Sequence, residues 1–199
     1  MRFIRDWEEN PFGVYAITAD GELVDKSEGN ADCIGVALLT NNQSIMIPKE
    51  DATDGTNTTL HWSKNLYGKD ITALPNSGEN AGFNGKDNTN KIIAGYTEHN
   101  VEMDSRDMCR VLQNFNATDT FHDWYIPSAD QLSEIYAWRV FIKETLNNIS
   151  GAEFKWSMDY WSSCEGNGDL ATSVYFGGGQ IFNNNKDSQA KVRFVRDLQ

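Results

Sequence analysis

Short apolar runs separated by polar stretches define the chain, and their spacing changes character along it. Near the amino end, Gly13-Val14-Tyr15-Ala16-Ile17-Thr18 is apolar, aromatic and β-branched. Asp20-Gly21 follows, and Glu22-Leu23-Val24 resumes the pattern. An Asp-Gly pair between two such runs predicts a β-hairpin. A second hairpin is predicted just beyond. Ile34-Gly35-Val36-Ala37-Leu38-Leu39 is continuously apolar, as for a strand buried on both faces. Asn41-Asn42 supplies its turn, Ser44-Ile45-Met46-Ile47 the return strand, and Pro48 the stop. This reading gives an N-terminal β-hairpin extension over residues 1–28 and a main domain over residues 29–199.

Periodicity then lapses. Residues 50–90 are rich in Asp, Asn, Thr and Gly, with isolated Trp62, Leu66, Tyr67 and Leu74. The pattern predicts a long loop pinned by those apolar side chains, and loops of that length are often functional. Within it, Asp51-Ala52-Thr53-Asp54-Gly55 lacks the alternating acidic spacing and closing Glu of a calcium loop.

Helical spacing follows. Met108, Val111, Leu112 and Phe115 recur at intervals of three and four, predicting a helix from about residue 105 to 115. A second helix is predicted from Ser128, with Gln131 three residues on as a capping box, to a stop at Gly151. Its apolar positions are Leu132, Ile135, Tyr136, Val140, Ile142, Leu146 and Ile149. Beyond it, Tyr160-Trp161-Ser162-Ser163, the run from Ala171 to Phe176, and Val192-Arg193-Phe194-Val195-Arg196 read as strands. Strands, two helices, then antiparallel strands is an α+β order.

Composition narrows the function. The 199 residues include six Trp, seven Tyr and ten Phe, enough bulk for one packed core. A net charge of −12 with no Lys/Arg cluster disfavours nucleic acid as a partner. No apolar stretch of about 18 residues predicts a membrane span. Three distant cysteines, Cys33, Cys109 and Cys164, form neither a disulfide framework nor a zinc motif. The start, Met1-Arg2-Phe3-Ile4-Arg5-Asp6, lacks the apolar core of a signal peptide, which leaves the export route open.

Four segments in order carry a resemblance. Trp124-Tyr125-Ile126-Pro127-Ser128 with Gln131-Leu132 resembles the pattern W-x-L-P-T/S-x-x-E-L. Tyr160-Trp161-Ser162-Ser163 resembles Y-W-S-S. Ala171 through Val174, Phe176, Gly179 and Lys186 resemble A-W-x-V-x-F-x-x-G…K, and residues 192–196 resemble V-R-x-V-R. Cys109 matches a helical cysteine that often precedes the Trp-Pro motif. The pattern, spanning about residues 105–196, is similar to the C-terminal domain of the Legionella collagen-like adhesins, which has a C-type-lectin-like fold. Gln131 stands where Glu is common, and Thr172 where Trp is common. Within that group the chain looks most like variable proteins of diversity-generating retroelements in Bacteroides and their phages. In those proteins adenine-directed mutagenesis rewrites positions between Y-W-S-S and V-R-x-V-R, often at Asn codons.

The resemblance implies a division of labour. Trp161, Val174, Phe176, Val192 and Val195 are expected as buried anchors. Loops 164–170 and 180–189 are expected to project into solvent, where unpacked side chains tolerate change. The expected ligand contacts are Cys164, Glu165, Asn167, Asp169, Leu170 and Thr172. Gln180, Phe182, Asn183, Asn184, Asn185, Asp187, Ser188 and Gln189 complete the expected set. The ligand would be a protein or glycan on another cell or virion, bound without cofactor or metal by a non-enzymatic chain at a cell or virion surface. Homo-oligomers remain open, and so does a second reading: a structural module of a phage or surface appendage whose loops bind nothing specific. Calcium-mediated sugar binding lacks its Glu-Pro-Asn-type segment, and Cys164 has no neighbouring His or second Cys to make it a nucleophile. Arg193 and Arg196 are expected to form exposed pairs with acidic residues, worth about 0–1 kcal/mol each.

Overall fold

The computed structural model describes residues 12–25, 32–71, 74 and 82–198. Residues 1–6 and the boundary expected at residue 28 lie outside that set. Both predicted hairpins form. Strand β1 (Gly13–Thr18) pairs with β2 (Leu23–Val24) across a turn in which Gly21 takes a φ of 85°, the left-handed conformation glycine tolerates best. Strand β3 (Cys33–Leu39) pairs with β4 (Ser44–Pro48).

The first hairpin joins the second in one sheet. β1 also pairs antiparallel with β3 along its whole length, from Gly13↔Leu39 to Thr18↔Cys33. One five-stranded sheet results, ordered β10-β4-β3-β1-β2, with β10 (Arg196–Asp197) returning from the end of the chain to β4. Alternate residues of a strand point to opposite faces. Val36 and Leu38 accordingly join one apolar cluster and Ala37 the other, so β3 is buried on both sides as its sequence implied.

Among the described residues four helices, not two, cover these faces, and the fold is α+β. Helix α1 (Gly85–Glu98) begins inside the stretch expected to be loop. Its buried face is largely small or polar: Gly85, Asn88, Thr89 and Gly95 beside Ile92 and Tyr96. Apolar periodicity is therefore weak, and hydrogen bonds take its place. Ile126 N–H donates to Thr89 Oγ1 at 3.0 Å, and Thr89 Oγ1 donates to Gly85 C=O at 2.8 Å. Helix α2 (Met108–Thr118) occupies the first predicted position.

The second predicted helix is two: α3 (Ala129–Ala137) and α4 (Arg139–Asn147), divided at Trp138. Leu132, Ile135, Ile142, Leu146 and Ile149 are buried and keep one helical phase across the break, with no Gly or Pro to mark it. Val140, expected on the apolar face, is exposed. The capping box forms as expected. Gln131 N–H donates to Ser128 Oγ at 3.2 Å, and Ser128 N–H donates to Gln131 Oε1 at 3.0 Å. Such a cap stabilises a helix by about 0.5–2 kcal/mol. Helices α3 and α4 contribute to the cluster around Val36 and Tyr160, and α1 and α2 to the cluster around Ala37 and Trp161. Among the described residues, no helix is long and apolar enough to cross a membrane.

Candidate functional site

A three-stranded antiparallel sheet carries the expected contact positions. Its order is β6 (Asp159–Glu165), β7 (Leu170–Tyr175), β8 (Gln180–Asn185). Directly paired residues share a face. Tyr160, Val174 and Ile181 stand in line on one face, over the α3–α4 cluster. Trp161, Ser173 and Phe182 stand on the other. The expected anchors Trp161, Val174, Phe176, Val192 and Val195 are all buried. Trp161 is held further by its Nε1–H, which donates to Leu60 C=O at 3.0 Å. Around the β7–β8 turn, Tyr175 C=O accepts from Gly179 N–H at 2.7 Å, with Gly179 at a φ of 79°.

Three expected contacts are internal. Cys164 lies within β6, its Sγ accepting from Ala129 N–H at 3.4 Å, and burial pushes its thiol pKa up, away from the reactive thiolate. Thr172 is buried in β7, where its hydroxyl donates to Asn183 Oδ1 at 3.0 Å. Glu165 is buried at the end of β6 in an ion pair with the equally buried Lys186. Burial pushes the Glu165 carboxyl up and the Lys186 ammonium down, and each charge pulls the other back. Lys186 Nζ also donates to Lys69 C=O at 2.7 Å and lies 5.2 Å from the centre of the Trp62 ring. Glu165 in turn accepts from Ile71 N–H at 3.1 Å.

The remaining expected positions reach solvent. Asn167, Asp169, Gln180, Phe182, Asn183, Asn185, Asp187, Ser188 and Gln189 are exposed, and Leu170 and Asn184 half-buried. Their backbone is not loop throughout. Residues 180–185 form β8, paired with β7 at every position. Residues 166–170 make a compact turn in which Asn167 Oδ1 accepts from Asp169 N–H and Leu170 N–H, both at 2.9 Å. Past β8, Ser188 N–H donates to Asn185 C=O at 2.9 Å. Then β9 (Gln189–Ala190) pairs with β5 (Leu60–His61). Little strand remains where residues 192–196 were expected to form one. Val195 makes an isolated bridge to Tyr125, and β10 starts at Arg196.

The sequence did not reveal a neighbouring segment of the same surface, residues 62–70. Lys69 N–H donates to Gly168 C=O at 3.1 Å, and Ser63 N–H to Lys186 C=O at 3.0 Å. His61 Nδ1 lies 2.5 Å from Asp187 C=O. The Lys69 bond sets exposed Gly68 and Asp70 beside the turn at residues 166–170. The only sequence signal was the run of isolated apolar residues, of which Trp62 and Leu66 are buried and Tyr67 is exposed.

Comparison with solved structures gives a likeness over nearly the whole chain. The chain is similar in fold to a fimbrial protein from Bacteroides ovatus. The two share 15% identity with a TM-score of 0.69, over 94% of this chain and 48% of the fimbrial one. The chain thus spans about half the length of that protein. No family model matches it, and no curated protein does.

Proposed function

We propose that the chain is a ligand-binding module of a surface appendage, on a C-type-lectin-like scaffold. Its contact surface is β8, the strand of this sheet that reaches solvent, with the turn at residues 166–170, residues 185–189 and the adjoining residues 62–70. Its ligand is a protein or glycan on another cell or virion. The observation that carries this reading is the separation of side chains within one segment. Trp161, Val174, Phe176 and Val192 are fully packed, while Phe182, Asn183, Asn185 and Asp187 between them are open to solvent. A large aromatic left 47% exposed on a strand among amides is a natural anchor for a partner. The ordered sequence motifs support the scaffold type, and the fimbrial likeness supports the appendage.

The test is a binding scan against cell-surface glycan arrays and displayed peptide libraries. Phe182→Ala and Asp187→Ala should each weaken captured binding about tenfold or more. Asn184→Ala should weaken it less, because part of its amide is committed to Ser173 Oγ at 2.9 Å. All three should leave Tm within about 2 °C of the parent. A control on α4, Phe141→Ala, should leave binding unchanged. Equal loss from the control and the surface variants contradicts the assignment.

The same fimbrial likeness favours a second reading, an assembly subunit without a loop ligand. Light scattering separates the two: a stable oligomer unaffected by the three alanine variants supports assembly.

A further inference from the structure

The two edges of the β6–β8 sheet are finished differently. Along β6 the chain covers its own edge. Trp161 N–H donates to Lys191 C=O and Lys191 N–H to Asp159 C=O, both at 2.9 Å. Along β8, among the described residues, no second strand lies against the outer side. The phase of its backbone follows from one bond. Lys186 N–H donates to Asp169 C=O at 2.9 Å, which continues the β7–β8 ladder by one pair beyond Leu170↔Asn185. Inward and outward amides alternate in an antiparallel pair. Gln180, Phe182 and Asn184 therefore turn their N–H and C=O groups toward β7, and Ile181 and Asn183 turn theirs outward.

Exposed edges are normally guarded by lysine, proline, a bulge or a covering segment. Among the described residues β8 has no lysine, proline or bulge, and no strand covers it. It reads Gln-Ile-Phe-Asn-Asn-Asn, without charge or proline, and pairs with β7 through six consecutive positions with no bulge. A regular, neutral edge with no strand paired to it, inside a candidate contact surface, is a template for another strand.

We propose that β8 captures its partner by strand addition. An extended segment of a different protein, neutral or basic in charge, lies along β8 and bonds to the outward N–H and C=O groups of Ile181 and Asn183. This rests on the reading of β8 and its adjoining turns as the contact surface and narrows its ligand to a peptide segment. Outward groups recur every second residue, about 7 Å apart, which is the repeat of a polypeptide strand. Phe182 and Asn184 on one face and Asn183 on the other then select side chains of the added strand. The chain's net charge of −12 opposes a second copy as that partner.

The test uses the full chain and the tightest synthetic peptide selected from a displayed library of short random sequences. Asn183→Pro deletes an outward N–H and no ladder bond, so it should fold, and it should weaken the peptide about tenfold or more. Asn183→Ala, which keeps that N–H, should weaken it about threefold or less. Should Asn183→Pro fail to fold, hydrogen exchange of the parent chain reads the same point: the peptide should slow the Ile181 and Asn183 amides. Equal loss in the two variants, or no slowing of those amides, overturns strand addition. The surface reading survives that outcome if Phe182→Ala still weakens the peptide, and falls with it if Phe182→Ala has no effect. A β8-dependent dimer of the chain in ultracentrifugation overturns the choice of a different protein.

Discussion

Lys186→Ala is expected to destabilise the fold by about 3–5 kcal/mol, far more than a surface lysine would. The side chains of Lys186 and Glu165 are both fully buried, and the ammonium also serves the carbonyls of Leu66 and Lys69. Removing it leaves a carboxylate inside the protein with the Ile71 amide as its remaining partner among the described residues. The sign of the pH dependence follows. Burial already raises the Glu165 pKa, and loss of the lysine raises it further. The unfolded variant then releases that proton at the ordinary carboxylate pKa, while the folded variant holds it to higher pH. Stability of Lys186→Ala should fall as pH rises through that window and recover on acidification. Urea denaturation at several pH values checks both the size and the sign. Replacing the pair together, as Glu165→Leu with Lys186→Met, should recover much of the loss, because no charge is then stranded.

Arg193→Ala should cost a similar amount, about 3–5 kcal/mol, read as a fall in the urea midpoint without a change in slope. Arg193 is 1% exposed, not the surface partner its sequence context suggested. Its guanidinium donates to Asp51 Oδ1 from Nε at 2.8 Å and to Pro48 C=O from a terminal nitrogen at 2.6 Å. It also reaches Glu153 C=O and lies 4.3 Å from the Phe154 ring centre. Asp51 accepts from Tyr160 Oη at 3.0 Å as well. One side chain thus ties the end of β4, the segment before α1, the segment after α4 and the start of β6 together. Arg193→Lys should not rescue it, since a point charge cannot fill a planar fork. Arg196, by contrast, pairs with a partly exposed Asp123 and falls nearer its expectation as a surface pair.

Much of the scaffold was legible because its signals are local. Asp20-Gly21, the unbroken run in β3 and the Ser128–Gln131 box each specify their element through neighbouring residues. The anchors Trp161, Val174 and Phe176 were legible through motif order. Helix α1 was not, since Asn88 and Thr89 are buried by virtue of partners distant in sequence. β8 was not either: Gln180 and Asn183-Asn184-Asn185 have low strand propensity, and pairing with β7 overrides it. Within the site, polarity proved a poor guide to exposure. Glu165 and Thr172 are polar and enclosed, each satisfied by a side chain on a different strand or turn. That matching is a property of the assembled sheet and leaves no mark at either position alone.

Saturation mutagenesis of residues 159–196, scored by protease resistance of the displayed chain, tests the division between frame and contact surface most directly. Trp161, Glu165, Val174, Phe176, Lys186 and Arg193 should accept few replacements, whereas Asp169, Phe182, Asn185 and Asp187 should accept nearly all non-proline ones. Broad tolerance at the first group, or folding lost across the second, would contradict the account.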